Sequence, residues 1–426
     1  MKHTVDELVL DNGARGLLVD IPDATVLSLE LNFRAGDFQS PKGKWEVAHV
    51  LEHMVLGAND KFPKARKFNA EFTKNGAYSN ASTSAYDLNY ITECADFEWQ
   101  RIVNLLLTAV QTPLLPRDEF DAEVGNVREE LTGDLNHHFR QLLISARQTH
   151  GLMALSDTER LEQLGGITHK DIKDFYKRTH RSDNLRFVLT GKIGGRLKEI
   201  DSLFSNLTLK RGERIALPKE SPKKLDKVHY MERPGLKNIY FLWHTFAARE
   251  LEQKELDAMK LVNVMLTETL HSRILGTARE QGLAYDLMSH FNMFKDLSDW
   301  WFGAEIRAEN VLKVFEITRG EIARIQAGKI DDEDIEAAKQ FVIGRHQRSV
   351  QTPRSLMKLY SNEYFFNGEI KDNNAFESRV RGVTKQEMVD VVRTMFADKV
   401  WGLSVLGTDQ QILSEKMHNK LQVLWK

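Results

Sequence analysis

Apolar and polar residues alternate regularly in the N-terminal part of the chain. The segment LVLDNGARGLLVD contains two apolar runs joined at Asn12-Gly13, a dipeptide typical of a tight hairpin turn. The next segment, VLSLELNFRAG, alternates apolar and polar positions as a half-buried strand does. Residues 5–34 are therefore predicted to form strands.

Helical spacing begins after these strands. Apolar residues recur every three or four positions over 45–57 and 64–75, whereas 80–94 is rich in β-branched and aromatic residues and predicts a pair of strands. The stretch FEWQRIVNLLLTAVQTP predicts an amphipathic helix that ends at Pro113. The following stretch, PRDEFDAEVGNVREELTGDLNHHFRQLL, predicts one long helix.

The second half of the chain repeats this order of elements. DDEDIEAAKQFVIGRHQRSV resembles PRDEFDAEVGNVREEL, and VTKQEMVDVVRTMFADKVWGLSVLGT resembles ITHKDIKDFYKRTHRSDNLRFVLTGK. We therefore predict an α+β fold of two similar domains, each an antiparallel sheet flanked by helices and of roughly 200 residues. The predicted domains are residues 1–207 and 228–426, joined by a basic, proline-containing linker at 208–227.

Composition narrows the class of protein. Hydrophobic residues make up 42% and charged residues 28% of the 426 positions, which is typical of a soluble globular protein. The net charge of −2 argues against a nucleic-acid partner, which would need a basic surface. No apolar run approaches the ~18 residues of a membrane span, and the start, MKHTVDELVLDNG, lacks a secretory pattern. We expect a cytoplasmic protein, although a processed periplasmic or organellar form is compatible with the sequence.

Two histidines four residues apart flank a glutamate in the segment AHVLEHM. On a helix, His49 and His53 share one face, and neutral imidazole is a good zinc ligand. Glu52 is placed to take a proton from a bound water, as in the inverted form of the His-Glu-x-x-His arrangement. The alternative is a pair of surface histidines beside a solvated glutamate. The single cysteine, Cys94, excludes a Cys-rich zinc site, so further ligands must be His or carboxylate.

The long predicted helix offers a further ligand. Glu123 and Glu130 are two helical turns apart and share a face, so one can bind a metal while the other supports a ligating histidine. The alternative is a solvated acidic face. His137 and His138, on the same predicted helix, are interpreted as polar surface residues because their spacing suggests no acidic partner.

Together these residues resemble the pitrilysin/insulinase family of zinc metallopeptidases, which includes the mitochondrial processing peptidases. The resemblance covers nearly the whole chain as one half-size module. It rests on the opening strands, VAHVLEHM, GAYSNASTSAYDLNYI and Glu130, which lies 77 residues after His53. It implies one zinc ion per chain, bound by His49, His53 and Glu130. It also implies that Glu52 is the general base and that Glu123 orients a zinc ligand without binding the metal itself.

The resemblance also implies a peptide substrate and a protein partner. Asn80 and Ala81 match the family's substrate-holding strand, where an extended peptide pairs with a sheet edge. The alternative for Asn80 is a turn residue at the start of a strand. Full-length members have four units around a chamber, so this chain is expected to form half of a clamshell, as a homodimer or as a heterodimer with a related subunit. Trp45-Glu46 stands where the family often has glycine, which predicts an altered pocket rim.

The second copy contains SRILGTAREQGLAYDL, which resembles the family's Arg/Tyr segment. The resemblance implies that Tyr285 donates to the tetrahedral oxyanion and that Arg279 binds substrate backbone or the same region, although their spacing is six residues where seven is common. By itself the segment predicts a helix, a turn at Gly282 and a buried tyrosine. When the two copies are aligned, Ala338 corresponds to Glu123 and Arg345 corresponds to Glu130. The second copy therefore lacks these carboxylates, which predicts a metal site in the first copy alone.

Three functions are compatible with these patterns. The first is a zinc endopeptidase that cuts peptides or unfolded segments within a dimer chamber. The second is a non-catalytic structural or regulatory subunit of the same fold, and the presence of His49, Glu52 and His53 favours the enzyme over it. The third is a zinc hydrolase that acts on another class of substrate. Through the resemblance, the strand around Asn80 favours an extended peptide as the substrate instead.

Overall fold

The computed structural model describes residues 1–425 as strands and helices that form two compact units. The strands are β1 Thr4–Val9, β2 Arg15–Asp20, β3 Val26–Phe33, β4 Tyr78–Thr83, β5 Leu88–Ala95, β6 Leu185–Gly191, β7 His229–Glu232, β8 Ile239–Ala247, β9 Met288–Phe294, β10 Leu297–Ile306 and β11 Val400–Gly407. The helices are α1 Val47–Val55, α2 Ala65–Thr73, α3 Trp99–Gln111, α4 Arg117–Asp134, α5 His138–Thr149, α6 Asp157–Leu164, α7 His169–Thr179, α8 Leu197–Ser205, α9 Gln253–Asn263, α10 Leu275–Glu280, α11 Ala308–Gln326, α12 Asp332–Ser349, α13 Pro353–Asn367, α14 Phe376–Gly382, α15 Lys385–Ala397 and α16 Gln411–Leu421. Within residues 1–425, no helix combines the length and the apolar character needed to cross a membrane.

Unit 1 is built on a six-stranded sheet with the order β1-β2-β6-β3-β5-β4. It comprises residues 1–133, 157–218 and 348–371. The predicted hairpin joins β1 to β2 with Val9 opposite Arg15, and Gly13 adopts a φ of +93° at the turn. All neighbouring strands are antiparallel except β2 and β6, which are parallel.

Both faces of this sheet are covered by helices. Along β2, Leu18 points into the larger core, which it shares with α1, α3 and α7. Its neighbours Leu17 and Val19 point to the opposite face and pack against Met357 and Tyr360 of α13. The alternation of side chains along a strand thus places two apolar layers on one sheet. The covering helix α13 comes from the C-terminal half of the chain.

Unit 2 repeats the design on a five-stranded sheet with the order β7-β11-β8-β10-β9. Its described residues are 134–156, 219–347 and 372–425. Only β7 and β11 are parallel. The helix α5, from the N-terminal half, packs on this sheet, so each unit includes a helix from the opposite half of the sequence. The predicted fold class, two sheets flanked by helices, is confirmed.

The prediction of one long helix after Pro116 is wrong, because the chain forms α4 and α5 with a break at 135–137. His137 ends the break as the N-cap of α5, and its side chain accepts a hydrogen bond from the Arg140 backbone N–H at 3.1 Å. The two helices bury their apolar side chains in different units, and the cap at His137 starts the second helix. The buried residues are Phe120, Val127 and Leu131 on α4, and Leu142 and Ala146 on α5.

The buried histidine at the end of α5 gives unit 2 an expected sensitivity to acid. His150 donates through Nδ1 to the Lys223 carbonyl at 2.7 Å, and its Nε2 has no hydrogen-bond partner within residues 1–425. Burial lowers the pKa of His150 from 6.5 to about 4. The unfolded chain therefore takes up a proton near pH 6.5 that the folded unit takes up only near pH 4. The corresponding stability is present above pH 6.5 and is lost as the pH falls towards 4.

We expect this histidine to reduce the free energy of unfolding by about 2 kcal/mol between pH 7 and pH 5. His150→Asn keeps a hydrogen-bond donor but does not titrate. The difference in unfolding free energy between wild type and variant should therefore shrink over this range when measured by denaturant titration. A difference that stays constant with pH would contradict the assignment.

Candidate metal centre

The helix α1 has one apolar face and one face of chemically reactive side chains. The reactive face carries His49, Glu52 and His53, all partly accessible. Positions three and four apart lie on the same side of a helix, so the pattern that buries one face necessarily gathers these three on the other. The buried residues of the helix are Val47, Ala48, Val50, Leu51, Met54 and Val55.

Each histidine is oriented by a carboxylate on its Nδ1 side. His53 Nδ1 donates to Glu123 Oε2 at 2.9 Å, and Asn126 donates to the same oxygen at 2.9 Å. His49 Nδ1 donates to Glu46 Oε2, also at 2.9 Å. These contacts place the protons on Nδ1 and leave the Nε2 lone pairs free to bind a metal, as in carboxylate–histidine–metal triads.

Both Nε2 atoms face Glu130. Its Oε2 lies 3.3 Å from His49 Nε2 and its Oε1 lies 3.7 Å from His53 Nε2. Ligands bound tetrahedrally to zinc at 2.0–2.1 Å are about 3.3 Å apart. The distance from His49 to Glu130 matches this spacing, and the distance from His53 to the other carboxylate oxygen is slightly longer. Among residues 1–425, one group of three potential ligands has donor atoms within 4.8 Å of one another, and it consists of the two histidines and Glu52.

The electrostatics of the site favour a cation. Burial raises the pKa of Glu52, against the opposing effect of the neighbouring His53 and His49. Burial would lower the pKa of His53, but the hydrogen bond to Glu123 and the charges of Glu52 and Glu130 outweigh it and raise that pKa. Several carboxylates thus converge on two imidazoles, an arrangement that a bound divalent ion would neutralise.

The site opens into a cavity of about 590 Å³ bounded by β4. Thr83 at the end of this strand donates to Glu52 Oε2 at 3.3 Å. Asn80 lies opposite Ile91 of β5 and Ala81 lies opposite Tyr90, and both Asn80 and Ala81 line the cavity. Because β4 is the last strand of the sheet, its outer edge has no strand partner among residues 1–425.

The sequence interpretation did not identify three further residues of this site, namely Asp37, Glu46 and Arg160. Glu46 is fully buried and bonded to His49, whereas the sequence placed it at the pocket rim. Its position three residues before His49, on the same helical turn, was the available signal. Asp37 and Arg160 both line the cavity, and burial with the charge of Glu46 raises the pKa of Asp37 to about 7.

The predicted Arg/Tyr segment lies in unit 2, beside a cavity of about 440 Å³. Arg279 Nη1 donates to the Tyr285 carbonyl at 2.8 Å, and the guanidinium lies 4.6 Å from the centre of the Tyr285 ring. The tyrosine side chain is 82% exposed, so the alternative expectation of a buried tyrosine is wrong. The turn at Gly282 has a φ of +66°, which favours glycine.

The second copy has a different arrangement at the positions opposite the two glutamates. Ala338 is buried in the core of unit 2, and Arg345 forms an ion pair with Glu268 at the end of a π-helical turn. His137 caps α5, and the His138 ring packs edge-on against Tyr240 at 5.6 Å.

The fold and the site define a two-unit α+β protein with a candidate metal centre on the first unit. Residues 16–155 match the family model described as insulinase (peptidase family M16), and residues 166–342 match the model described as peptidase M16 inactive domain. The chain belongs to the insulinase family, M16.

Known proteins resemble the chain in part or over nearly its whole length. The insulin-degrading enzyme-like 2 protein of Arabidopsis thaliana is 26% identical over 201 residues, which cover 45% of this chain and 21% of that protein. The chain thus matches about a fifth of the length of this curated relative. A protease from Helicobacter pylori superposes with a TM-score of 0.80 at 17% identity, covering 95% of this chain and 100% of the other. A peptidase M16 inactive domain from Pseudomonas fluorescens gives 0.80 at 16% identity, with coverages of 95% and 98%.

Proposed function

We propose that this chain is a zinc-dependent endopeptidase that cleaves peptides or unfolded protein segments. The observation that carries the proposal is the convergence of His49 Nε2 and His53 Nε2 on Glu130, with Glu52 beside them. Three protein ligands and a neighbouring general base are the parts that a hydrolytic zinc site requires. Membership of the family described as insulinase (peptidase family M16) supports the same function, as does the similarity to a relative named insulin-degrading enzyme-like 2.

The proposed roles follow from the contacts of each side chain. His49, His53 and Glu130 would hold the zinc ion, which supplies Lewis acidity and lowers the pKa of a bound water towards ~7. Glu52 would accept the proton of the attacking water and deliver it to the leaving amine. Its partly buried position and its raised pKa suit a group that must both take and give a proton.

The proposed substrate is an extended peptide. The free edge of β4 offers unpaired backbone groups beside Glu52, and a peptide can add to such an edge by backbone hydrogen bonds. Asn80 and Ala81 lie in the middle of this strand and are the proposed substrate-binding positions. Binding through backbone groups predicts broad tolerance of substrate side chains.

The direct test is cleavage of a panel of quenched fluorescent peptides by the purified chain. We expect cleavage that a chelator abolishes and added zinc restores, with about one zinc ion per chain by metal analysis. Zinc binding without cleavage of any peptide would favour the second candidate described below. The absence of both zinc and cleavage would refute the enzyme.

We also propose that the active form is a dimer in which Tyr285 of one chain serves the zinc site of another. Tyr285 is 82% exposed beside an open cavity, so its hydroxyl is accessible to a bound molecule. Removing one oxyanion donor typically lowers kcat by about 10²- to 10³-fold, and we expect this loss for Tyr285→Phe.

Mixing two inactive variants tests the shared site. A dimer of Glu52→Gln with Tyr285→Phe contains one site with both wild-type groups if the tyrosine acts in trans. We expect the mixture, after subunit exchange, to be far more active than either variant alone. Activity that stays at the level of the separate variants would show that the tyrosine acts within its own chain or not at all.

The second candidate is a non-catalytic structural or regulatory subunit of the same fold. The match of residues 166–342 to a model described as inactive domain favours it, as does the fold shared with an M16 inactive domain of known structure. This candidate predicts stable association with a related subunit and no chelator-sensitive cleavage. The peptide assay above therefore separates the two.

A further inference from the structure

A buried ion pair lies directly behind His49. Glu46, the residue before α1, is fully buried, and its two carboxylate oxygens are held by one arginine. Arg160 donates through Nε to Glu46 Oε1 at 2.6 Å and through Nη2 to Oε2 at 3.0 Å. The same Oε2 accepts from His49 Nδ1 at 2.9 Å. The carboxylate thus joins Arg160 of α6 to a proposed zinc ligand of α1.

Burial of this carboxylate requires compensation. An unpaired buried carboxylate is strongly unfavourable, whereas a two-point contact with an arginine satisfies both oxygens in a fixed plane. Arg160 is itself only 13% exposed and also contacts Asp157 Oδ1 at 3.3 Å. Its guanidinium is therefore held on two sides and has little freedom to swing away from Glu46.

The two histidines differ in how firmly they are supported. Glu123, behind His53, is 26% exposed and is shared only with the neutral amide of Asn126. Glu46, behind His49, is inaccessible and its charge is balanced by Arg160. The carboxylate behind His49 is therefore held by a cation, whereas the carboxylate behind His53 is held by a neutral amide.

We propose that Glu46 and Arg160 form a positioning pair for His49, in which Arg160 locks the carboxylate and the carboxylate fixes the plane and tautomer of the imidazole. The proposal rests on the proposed zinc site, and it explains what holds His49 in its metal-binding orientation. An ion pair whose only role was to stabilise the fold would not need the contact with His49. Because Glu46 Oε2 accepts from both His49 and Arg160, the orientation of His49 on α1 depends on α6, which spans Asp157–Leu164.

The test compares two double variants of the full chain. Glu46→Leu/Arg160→Met replaces the pair by apolar side chains, a change that buried ion pairs often tolerate, and it removes the acceptor on His49. Glu46→Gln/Arg160→Met also removes both charges but keeps an amide oxygen that can accept from Nδ1. Arg196→Met serves as the control, because Arg196 makes a similar two-point pair with Asp96 at 2.6 and 2.7 Å in the same unit.

The main measurement is the zinc dissociation constant by competition with a chromophoric chelator. The absorption spectrum of the Co²⁺-loaded protein reports ligand geometry separately. We expect zinc binding to weaken by about 10- to 100-fold in Glu46→Leu/Arg160→Met, with a changed Co²⁺ spectrum. Glu46→Gln/Arg160→Met should lose less, and Arg196→Met should bind zinc as the wild type does.

The outcomes separate this proposal from the proposed function. Tight zinc binding by the wild type and equally tight binding by Glu46→Leu/Arg160→Met would overturn the positioning pair and leave the zinc site intact. An equal loss in both double variants would also overturn it, since the acceptor would then have no role of its own. A wild-type chain that binds no zinc would refute the zinc site and the positioning pair together.

Discussion

Glu52→Gln is expected to lower kcat/KM for peptide cleavage by about 10²- to 10⁴-fold while zinc binding is retained. The amide has nearly the same shape as the carboxylate and can still accept a hydrogen bond from Thr83, which lies 3.3 Å from Oε2. It cannot take a proton from the attacking water. The loss should therefore fall on the chemical step, with kcat reduced and KM for the peptide little changed.

Glu129→Gln is the matched control for this variant. Glu129 is exposed on α4, directly before Glu130, and the same chemical change there leaves the metal site untouched. The measurement is steady-state cleavage of one fluorescent peptide, with bound zinc determined on the same samples. Full activity in zinc-loaded Glu52→Gln would exclude this residue as the general base.

Glu130→Gln is expected to weaken zinc binding by more than about 100-fold, beyond the 10- to 100-fold typical of groups that only support a ligand. A neutral amide is a much poorer zinc ligand than a carboxylate. The side chain of Glu130 is 56% exposed, so the substitution removes a ligand without opening a cavity in the core. Zinc should accordingly raise the melting temperature of the wild type far more than that of the variant.

The two glutamate variants together decide which carboxylate binds the metal. The donor atoms of Glu52 lie within 4.8 Å of the histidine nitrogens, so Glu52 is the competing ligand. If Glu52 were the ligand and Glu130 a bystander, Glu52→Gln would lose zinc and Glu130→Gln would keep it. The expected result is the reverse, with Glu129→Gln equal to wild type in both measurements.

Local patterns along the chain predicted much of the fold. The Asn12-Gly13 turn and the helical spacing around His49 each reflect interactions between residues close in sequence. The strand β3 formed as predicted, but the expectation that it is half-buried was wrong, because both faces of the sheet are covered and its polar residues are buried as well. The repeat of element order predicted two similar sheet-and-helix units, and the structure confirms this class. The same local rule placed the two histidines on one helix face.

The boundaries of α4 and α5 show where local patterns become insufficient. The pattern over residues 116–143 predicted one helix, but the apolar faces of the two parts pack in different units. Periodicity records that a face is apolar and does not specify which core buries it. For the same reason, the sequence pattern did not predict that α13 packs on the sheet of unit 1.

The sequence by itself determined the elements, their repetition and the face that carries His49, Glu52 and His53, because these depend on spacings of a few residues. Only the tertiary structure decided what surrounds that face. It brought Glu123 and Glu130 of α4 to the histidines, left the edge of β4 open beside them, and buried Glu46 against Arg160. Contacts between residues far apart in sequence depend on how whole helices pack against a sheet, and no local pattern encodes that packing.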